Sequence, residues 1–513
     1  MMKKKNLIIF TALLMVITLI VTGCGGKSED APVETKPLII AQRSDAVVLD
    51  PHANNDQASS RVMRQIYSTL VNQNEDMELQ PGLAESWEAI DELTFEFKLR
   101  QGVKFHNGEE LTADDVAFTL KRALGSSHVS HIVGAINPDG IVVIDPYTIR
   151  IATNEPFAPL LAHLAHTATG ILNEKAVTEA GEDYSQYPVG TGPYKLENWV
   201  VGETIELVRF EDYYDESNKA KIEKVIFKAI AEDGNRTIEL ETEGIDIAYD
   251  IIATDVDRVA NHSDLEMVRD MNLATTYVGF NAGKEPFNDV RVRQAINYAV
   301  DMDLIVEVVY LGTGEPSRGP LGGNVWASNQ NLKSYGYDVE KAKELMKEAG
   351  LEDGFKTTIW TNQNQQRIDI AEILQNQLKD INIEAEVSIM DWGAYLEATA
   401  AGEHDMFILG WVTVTGDPDY GLYPLFHSKT HGDAGNRTFY TNERVDELLD
   451  LARVNVDPAT REAAYMEVQE IVRNEAPWIF TWTGEELTGI RNNVKGFKNH
   501  PAGHHELWTV YFE

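Results

Sequence analysis

Thr357-Thr358-Ile359-Trp360, then Arg367 to Leu378, Ile383 to Ile389, Gly393 to Ala401 and Met406-Phe407-Ile408-Leu409-Gly410, decide the architecture of this chain. They read in turn as strand, helix, alternating strand, short helix and strand. Such a β-α-β-α-β alternation is the sequence form of a parallel sheet covered by helices. Open sheets of this kind hold ligands in the crevice beyond the carboxyl ends of their strands, so the following loops, residues 361–367 and 411–426, carry the candidate site. The first ends in Arg367 at a helix start, where backbone N–H groups and a guanidinium could hold a carboxylate. The second mixes Trp411, Tyr420 and Tyr423 with Asp417 and Asp419. Together they describe a slot for a small zwitterion.

The segments before this core mix strands and helices. Leu93, Phe95, Phe97 and Leu99 alternate with polar residues as one face of a half-buried strand. Thr112 and Asp115 form a capping box ahead of an apolar stripe through Val116 and Leu120. Residues 141–144 and 147–151 flank an Asp145-Pro146 turn as a hairpin, and residues 204–210 and 225–230 read as further strands. Asn55 and Asp56 stand as helix caps before Val62, Met63, Ile66, Tyr67 and Leu70. Trp478, Phe480 and Trp482 alternate as a core strand.

The N-terminus gives the address. Lys3, Lys4 and Lys5 precede an uncharged apolar run from Leu7 to Val21. That run falls short of the roughly 20 residues needed to span a bilayer and has the flanks of a cleaved secretory signal, residues 1–23. Val21-Thr22-Gly23-Cys24 resembles the lipobox of bacterial lipoproteins, in which the cysteine becomes the lipidated first residue. Cys24 is the only cysteine, so no disulfide within the chain is possible. Residues 24–37, small, polar and acidic, read as a flexible tether.

With 44 Lys+Arg against 82 Asp+Glu, the formal charge is −38, and removal of the three signal lysines brings it to −41. So acidic a surface repels phosphates and excludes nucleic acid as a partner. It also disfavours an anionic lipid surface, leaving an anchor as the route to the membrane. The 43% hydrophobic content supplies more than one large core.

A family resemblance covers nearly the whole mature chain. Leu83-Ala84-Glu85-Ser86-Trp87, residues 95–108 (Phe-Glu-Phe-Lys-Leu-Arg-Gln-Gly-Val-Lys-Phe-His-Asn-Gly) and Leu111-Thr112-Ala113-Asp114-Asp115-Val116 resemble the signature block of solute-binding protein family 5. Val189-Gly190-Thr191-Gly192-Pro193-Tyr194, the run from Pro286 to Ile296, and Gly410-Trp411 before Asp417-Pro418 match in order and spacing. The resemblance implies an α/β, two-lobed periplasmic-binding-protein-like clamp. Its first lobe would span residues 38–280 with a subdomain inserted at about 81–187, its second lobe 281–480, and residues 481–513 would return to the first. Hinge crossings would lie near Asn281 and Thr481. It further implies an extracytoplasmic monomer, lipid-anchored to the cell membrane, that captures a ligand for an ABC permease and does no chemistry on it.

Members of the family bind peptides, glutathione, nickel complexes, haem or sugars. Many peptide binders place an Asp three residues after the Trp to grip the ligand's amino terminus, and here Val414 stands in that place. The segment from Trp411 to Phe426 is more similar to the glutathione-binding branch, with its Thr-x-Thr-Gly-acid pattern. The expected ligand is therefore glutathione or a short peptide, with a nickel or other metal chelate as the alternative. The candidate ligand-binding residues are Arg367, Trp411, Thr413, Thr415, Asp417, Asp419 and, from the first lobe, Asn55. No cofactor is expected. Asp417, Asp419 and Asp433 could serve a hydrolase, but acids in a loop more often shape turns, and no nucleophile elbow or metalloprotease motif is present. The histidine pairs 128/131, 163/166 and 427/431 lack a further ligand placed by spacing, so no metal site is expected.

Overall fold

A computed structural model describes residues 36–54, 56–432 and 435–513; Cys24 and Asn55 lie outside the described residues. Two long antiparallel strands, Leu265–Phe280 and Trp478–Arg491, form the spine of an 11-stranded sheet. On one side, Ile247–Ala248 pairs with Trp478–Arg491 and leads to Leu38–Gln42, Lys224–Ala229, Thr204–Arg209 and Tyr194–Val200. On the other, Leu265–Phe280 pairs with Met406–Val412, which leads to Lys356–Asn362 and Glu384–Met390, all three parallel. The chain is thus a two-lobed α/β clamp.

The spine is not a uniform ladder. Leu265 to Met271 pairs with Arg491 to Glu485, the register shifts between Met271 and Thr275, and pairing resumes from Thr275 opposite Thr483. In the break, the Leu273 N–H donates to Pro501 O at 3.2 Å, and Leu273 O accepts from the Thr413 N–H at 3.0 Å. Backbone groups that leave the ladder are thereby still satisfied.

Each lobe has its own apolar centre. In the first, Leu38, Ile40, Val62, Ile66, Ile205 and Val225 pack with Ile490, Leu507, Trp508 and Val510, which bring the C-terminus back to it. A four-stranded sheet of Ala84–Ala89, Thr94–Leu99, Thr148–Thr153 and Ile136–Asp145, covered by the helix Ala113–Leu124, builds a separate core around Phe97, Val116 and Ile149. The expected capping box is present: the Thr112 N–H donates to Asp115 Oδ2 at 3.0 Å. In the second lobe, Ile359, Ile370, Met406 and Ile408 form one cluster, and Trp478, Phe480, Phe426 and Tyr465 another.

The family-like run Val189 to Tyr194 has a packing reason. A Cβ on Gly190 or Gly192 would overlap the carbonyl oxygens of Ile66 and Gln65 respectively, so only glycine lets this segment lie against the helix Gln57–Ile66. Asp56 caps that helix, accepting from the Ser59 N–H at 3.0 Å.

Candidate functional site

The three parallel strands of the second lobe end at one rim. Lys356–Asn362 runs into the helix Gln365–Gln377, whose first turn carries Arg367. Asn364 caps the backbone N–H of Arg367 at 3.0 Å, and Asn362 Oδ1 accepts from Arg367 Nη1 at 2.9 Å, fixing the side chain from the strand end. Glu384–Met390 leads to the helix Trp392–Ala400, and the Arg367 guanidinium lies 5.7 Å from the Trp392 ring centroid. Met406–Val412 delivers Gly410 and Trp411. A Cβ on Gly410 would sit 3.2 Å from Thr275 O, a tight approach to the neighbouring strand, and 3.7 Å from Arg367 Nη2, an ordinary contact.

A cleft of about 530 Å³ opens at this rim. Its second-lobe wall includes Tyr277, Trp392, Gly410, Trp411, Tyr420 and Arg437; its first-lobe wall is Ser127, Ser130 and His131. Trp411 Nε1 donates to Tyr420 O at 2.8 Å, which holds the indole in the wall. Arg437 Nη1 donates to Leu396 O at 2.6 Å and Thr399 Oγ1 at 3.0 Å. Arg367 is half-buried, and desolvation pulls its pKa below the ordinary arginine value. Among the described residues no carboxylate lies within ion-pair distance of it. A guanidinium taken from water without a counter-charge is costly, and a bound anion would offset that cost.

The segment expected to supply the acids is arranged otherwise. Pro418–Phe426 is a helix with Pro418 in its first turn, and Asp417 is its N-cap, accepting from the Asp419 N–H at 2.9 Å. Both Asp417 oxygens lie 2.8 Å from Arg461 Nη2, and Asp419 Oδ1 lies 3.3 Å from Arg453 Nε. Burial raises the Asp419 pKa to about 6, against the opposing pull of Arg453. Thr413 is buried under the helix, against Gly421. The Thr415 hydroxyl accepts from the Asp417 N–H at 3.3 Å, and its carbonyl accepts from Gln73 Nε2 at 2.6 Å. Gly416, at φ +67°, packs against Met77, where a Cβ would come within 2.9 Å. Of the expected residues, then, the structure puts Trp411 in the cleft wall, sets Arg367 against Trp392 and Gly410, which line it, and places Thr413, Thr415, Asp417 and Asp419 in the packing behind it.

Trp392, Arg437, Ser127 and Ser130 escaped the sequence reading, and His131 entered it only as half of a histidine pair. Trp392 had only its place at a helix start. Asp-Pro ahead of an apolar run was itself an N-cap signal for the helix Pro418–Phe426. Among the described residues no group of three or more His, Cys, Asp or Glu could hold a metal ion.

Residues 78–433 match the family model described as bacterial extracellular solute-binding proteins, family 5 Middle. The glutathione-binding protein GsiB of Salmonella typhi is 32% identical over 471 residues, covering 90% of this chain and 92% of that protein. The DppA periplasmic binding protein of Helicobacter pylori, in complex with the peptide STSA, superposes with a TM-score of 0.82 at 31% identity, covering 93% of this chain and 98% of that one. NikZ of Campylobacter jejuni, in complex with Ni(L-His), superposes with a TM-score of 0.79 at 26% identity over 92% and 99%. The two-lobed fold, the cleft between its lobes and these relatives agree: the chain belongs to the bacterial extracellular solute-binding proteins of family 5, and it binds a solute rather than transforming one.

Proposed function

We propose that this protein is the substrate-binding lipoprotein of an ABC importer, held outside the cell membrane by a lipid on Cys24, and that its ligand is glutathione or a similarly short peptide. The observation that carries the ligand reading is Arg367, a half-buried guanidinium without a carboxylate partner among the described residues, set against Trp392 and Gly410, two residues that line the cleft. A ligand carboxylate would form a charge-assisted bidentate pair there. The aromatic wall of Trp392, Trp411 and Tyr277 gives apolar cover, and about 530 Å³ lies within the usual range of about 300–1,000 Å³ for small-molecule sites. The glutathione-binding and peptide-binding relatives support the same class.

A metal chelate is the second reading. It is favoured by His131, an imidazole on the first-lobe wall, and by the likeness to NikZ.

Mass spectrometry of ligand carried through purification tests both, followed by calorimetry of ligand-free protein against glutathione, a dipeptide, a pentapeptide and nickel–histidine. Glutathione or the dipeptide should bind most tightly. A pentapeptide binding more tightly overturns the short-ligand reading, and nickel–histidine binding alone replaces it.

A further inference from the structure

The segment from Val414 to Tyr420, set largely behind the cleft, still needs a role, and its contacts supply one. Val414 packs against the first-lobe core built around Phe97, Val116 and Ile149, where a polar side chain would be left unpaired and a valine completes the surface. The Thr415 carbonyl accepts from Gln73 Nε2 at 2.6 Å, and Gln73 ends the first-lobe strand Val71–Gln73. Gly416 fits against Met77 of the same lobe, at a φ of +67° that favours glycine. Asp417 caps the helix that carries Asp419 and Tyr420. Tyr420 is buried in that first-lobe core with its ring 6.0 Å from the His163 ring, and Asp419 Oδ2 lies 4.0 Å from His163 Nε2. A second line of contact runs through Arg453, on the helix Glu443–Val454. Its carbonyl oxygen accepts from the Ala158 N–H at 2.8 Å, and its guanidinium lies 5.0 Å from the Phe157 ring centroid. Gln73, Phe157, Ala158 and Arg453 are not among the residues lining the cleft, so these contacts form with nothing held between the lobes. Parting the lobes would bring Val414 and Tyr420 into water and give up the two hydrogen bonds and the cation–π contact.

We infer that residues 414–420, together with Arg453, are a latch that holds the second lobe against the first by direct contact and so maintains a closed population of the empty clamp. This goes beyond the proposed function, because it concerns the ligand-free protein and is indifferent to which solute is bound. A ligand that prefers the closed form then meets a clamp already biased toward it, and its apparent affinity scales with the competent fraction. Loosening the latch therefore weakens every such ligand by one common factor, whereas loss of a direct ligand contact weakens ligands unequally.

Two variants test it from the first-lobe side. Gln73→Glu is isosteric and sets an oxygen against the Thr415 carbonyl in place of a donor; Phe157→Leu keeps apolar volume and removes the ring from Arg453. Small-angle X-ray scattering of ligand-free protein should give a larger radius of gyration for each variant than for wild type, and the largest for the double variant. Melting temperatures identify any variant that fails to fold. Wild type alone gives a further reading: without ligand, the Ala158 amide should exchange with deuterium at least about tenfold more slowly than its unprotected rate. Calorimetry with glutathione and with a dipeptide should show both weakened by the same factor in each variant, at least about threefold. Equal radii of gyration for wild type and folded variants, full-rate exchange at Ala158, or a loss confined to one of the two ligands overturns the latch and leaves the short-peptide reading standing. If neither ligand binds wild type, that reading falls instead, and scattering and exchange alone decide the latch.

Discussion

Asp417 presents both carboxylate oxygens to Nη2 of Arg461, each at 2.8 Å, in a pair whose side chains are each only 10% exposed. Asp417 also caps the helix Pro418–Phe426. One carboxylate thus fixes a helix start and neutralises an arginine carried by the helix Pro458–Glu475. Asp417 raises the Arg461 pKa despite the arginine's burial.

Arg461→Met should therefore destabilise the protein by about 3–5 kcal/mol, because it leaves Asp417 charged, buried and unpaired. Asp417→Asn in the same chain should restore much of the loss, since it removes the orphaned charge and keeps a capping oxygen. Urea unfolding of the two variants is the check. A loss under about 1 kcal/mol for the single variant would rule out an important buried pair.

Stability should fall as the solution is acidified from about pH 6.5 toward pH 4. Burial lowers the pKa of His52, His106 and His163 to about 4, and that of His166, His404 and His500 to about 3. An unfolded histidine takes up its proton near 6.5. Between those values the unfolded chain binds more protons than the native one, so acid favours unfolding, and the stability present above pH 6.5 is lost down to the folded pKa values. Asp419, raised to about 6, works the other way between about pH 4 and 6, as do Asp115 and Glu506, which burial also raises, three groups against six. Melting temperatures from pH 7.5 to 4.5 test the sum, and a flat profile would contradict it.

Arg367→Ala should weaken a short peptide with a free carboxylate by about 2–5 kcal/mol, with little change in melting temperature of the empty protein. The C-terminal amide of the same peptide should bind wild type and variant alike. Equal affinity of the variant for both the acid and the amide, at the wild-type level, would remove Arg367 from the ligand contacts.

Cys24→Ala should yield a folded protein that is shed from membranes, because acylation supplies the attachment and the acidic body has none of its own. Among the described residues no helix is long and apolar enough to cross a membrane. Fractionation after a high-salt wash decides, and retention of the variant in the membrane pellet would contradict the lipid anchor.

The architecture was legible because it is written in local periods. Strands and helices expected over residues 357–410 appear within about two residues of their observed bounds, since alternation and helical spacing depend only on near neighbours. Arg367 was legible for a similar reason: it starts a helix after a strand. The acids of the next loop misled because their partners, Arg453 and Arg461, lie 34 and 44 residues further along, and no local pattern records such a pairing. Arg437 and Trp392 reach the cleft only through the crossing of three strand ends, which is a tertiary fact. The first-lobe wall of Ser127, Ser130 and His131 arrives from more than 140 residues away in sequence.

The break in the spine at Leu273 has a kinetic consequence. This residue is tethered on one side to Pro501 and on the other to Thr413. Rotation of one lobe against the other about that point would shear at least one of the two tethers while the ladders above and below stay closed. The amides of Leu273 and Thr413 would then exchange with solvent deuterium at the frequency of opening, well ahead of their ladder neighbours. Their exchange would slow in proportion to occupancy as ligand is added, so two backbone protons would serve as a clock for the clamp.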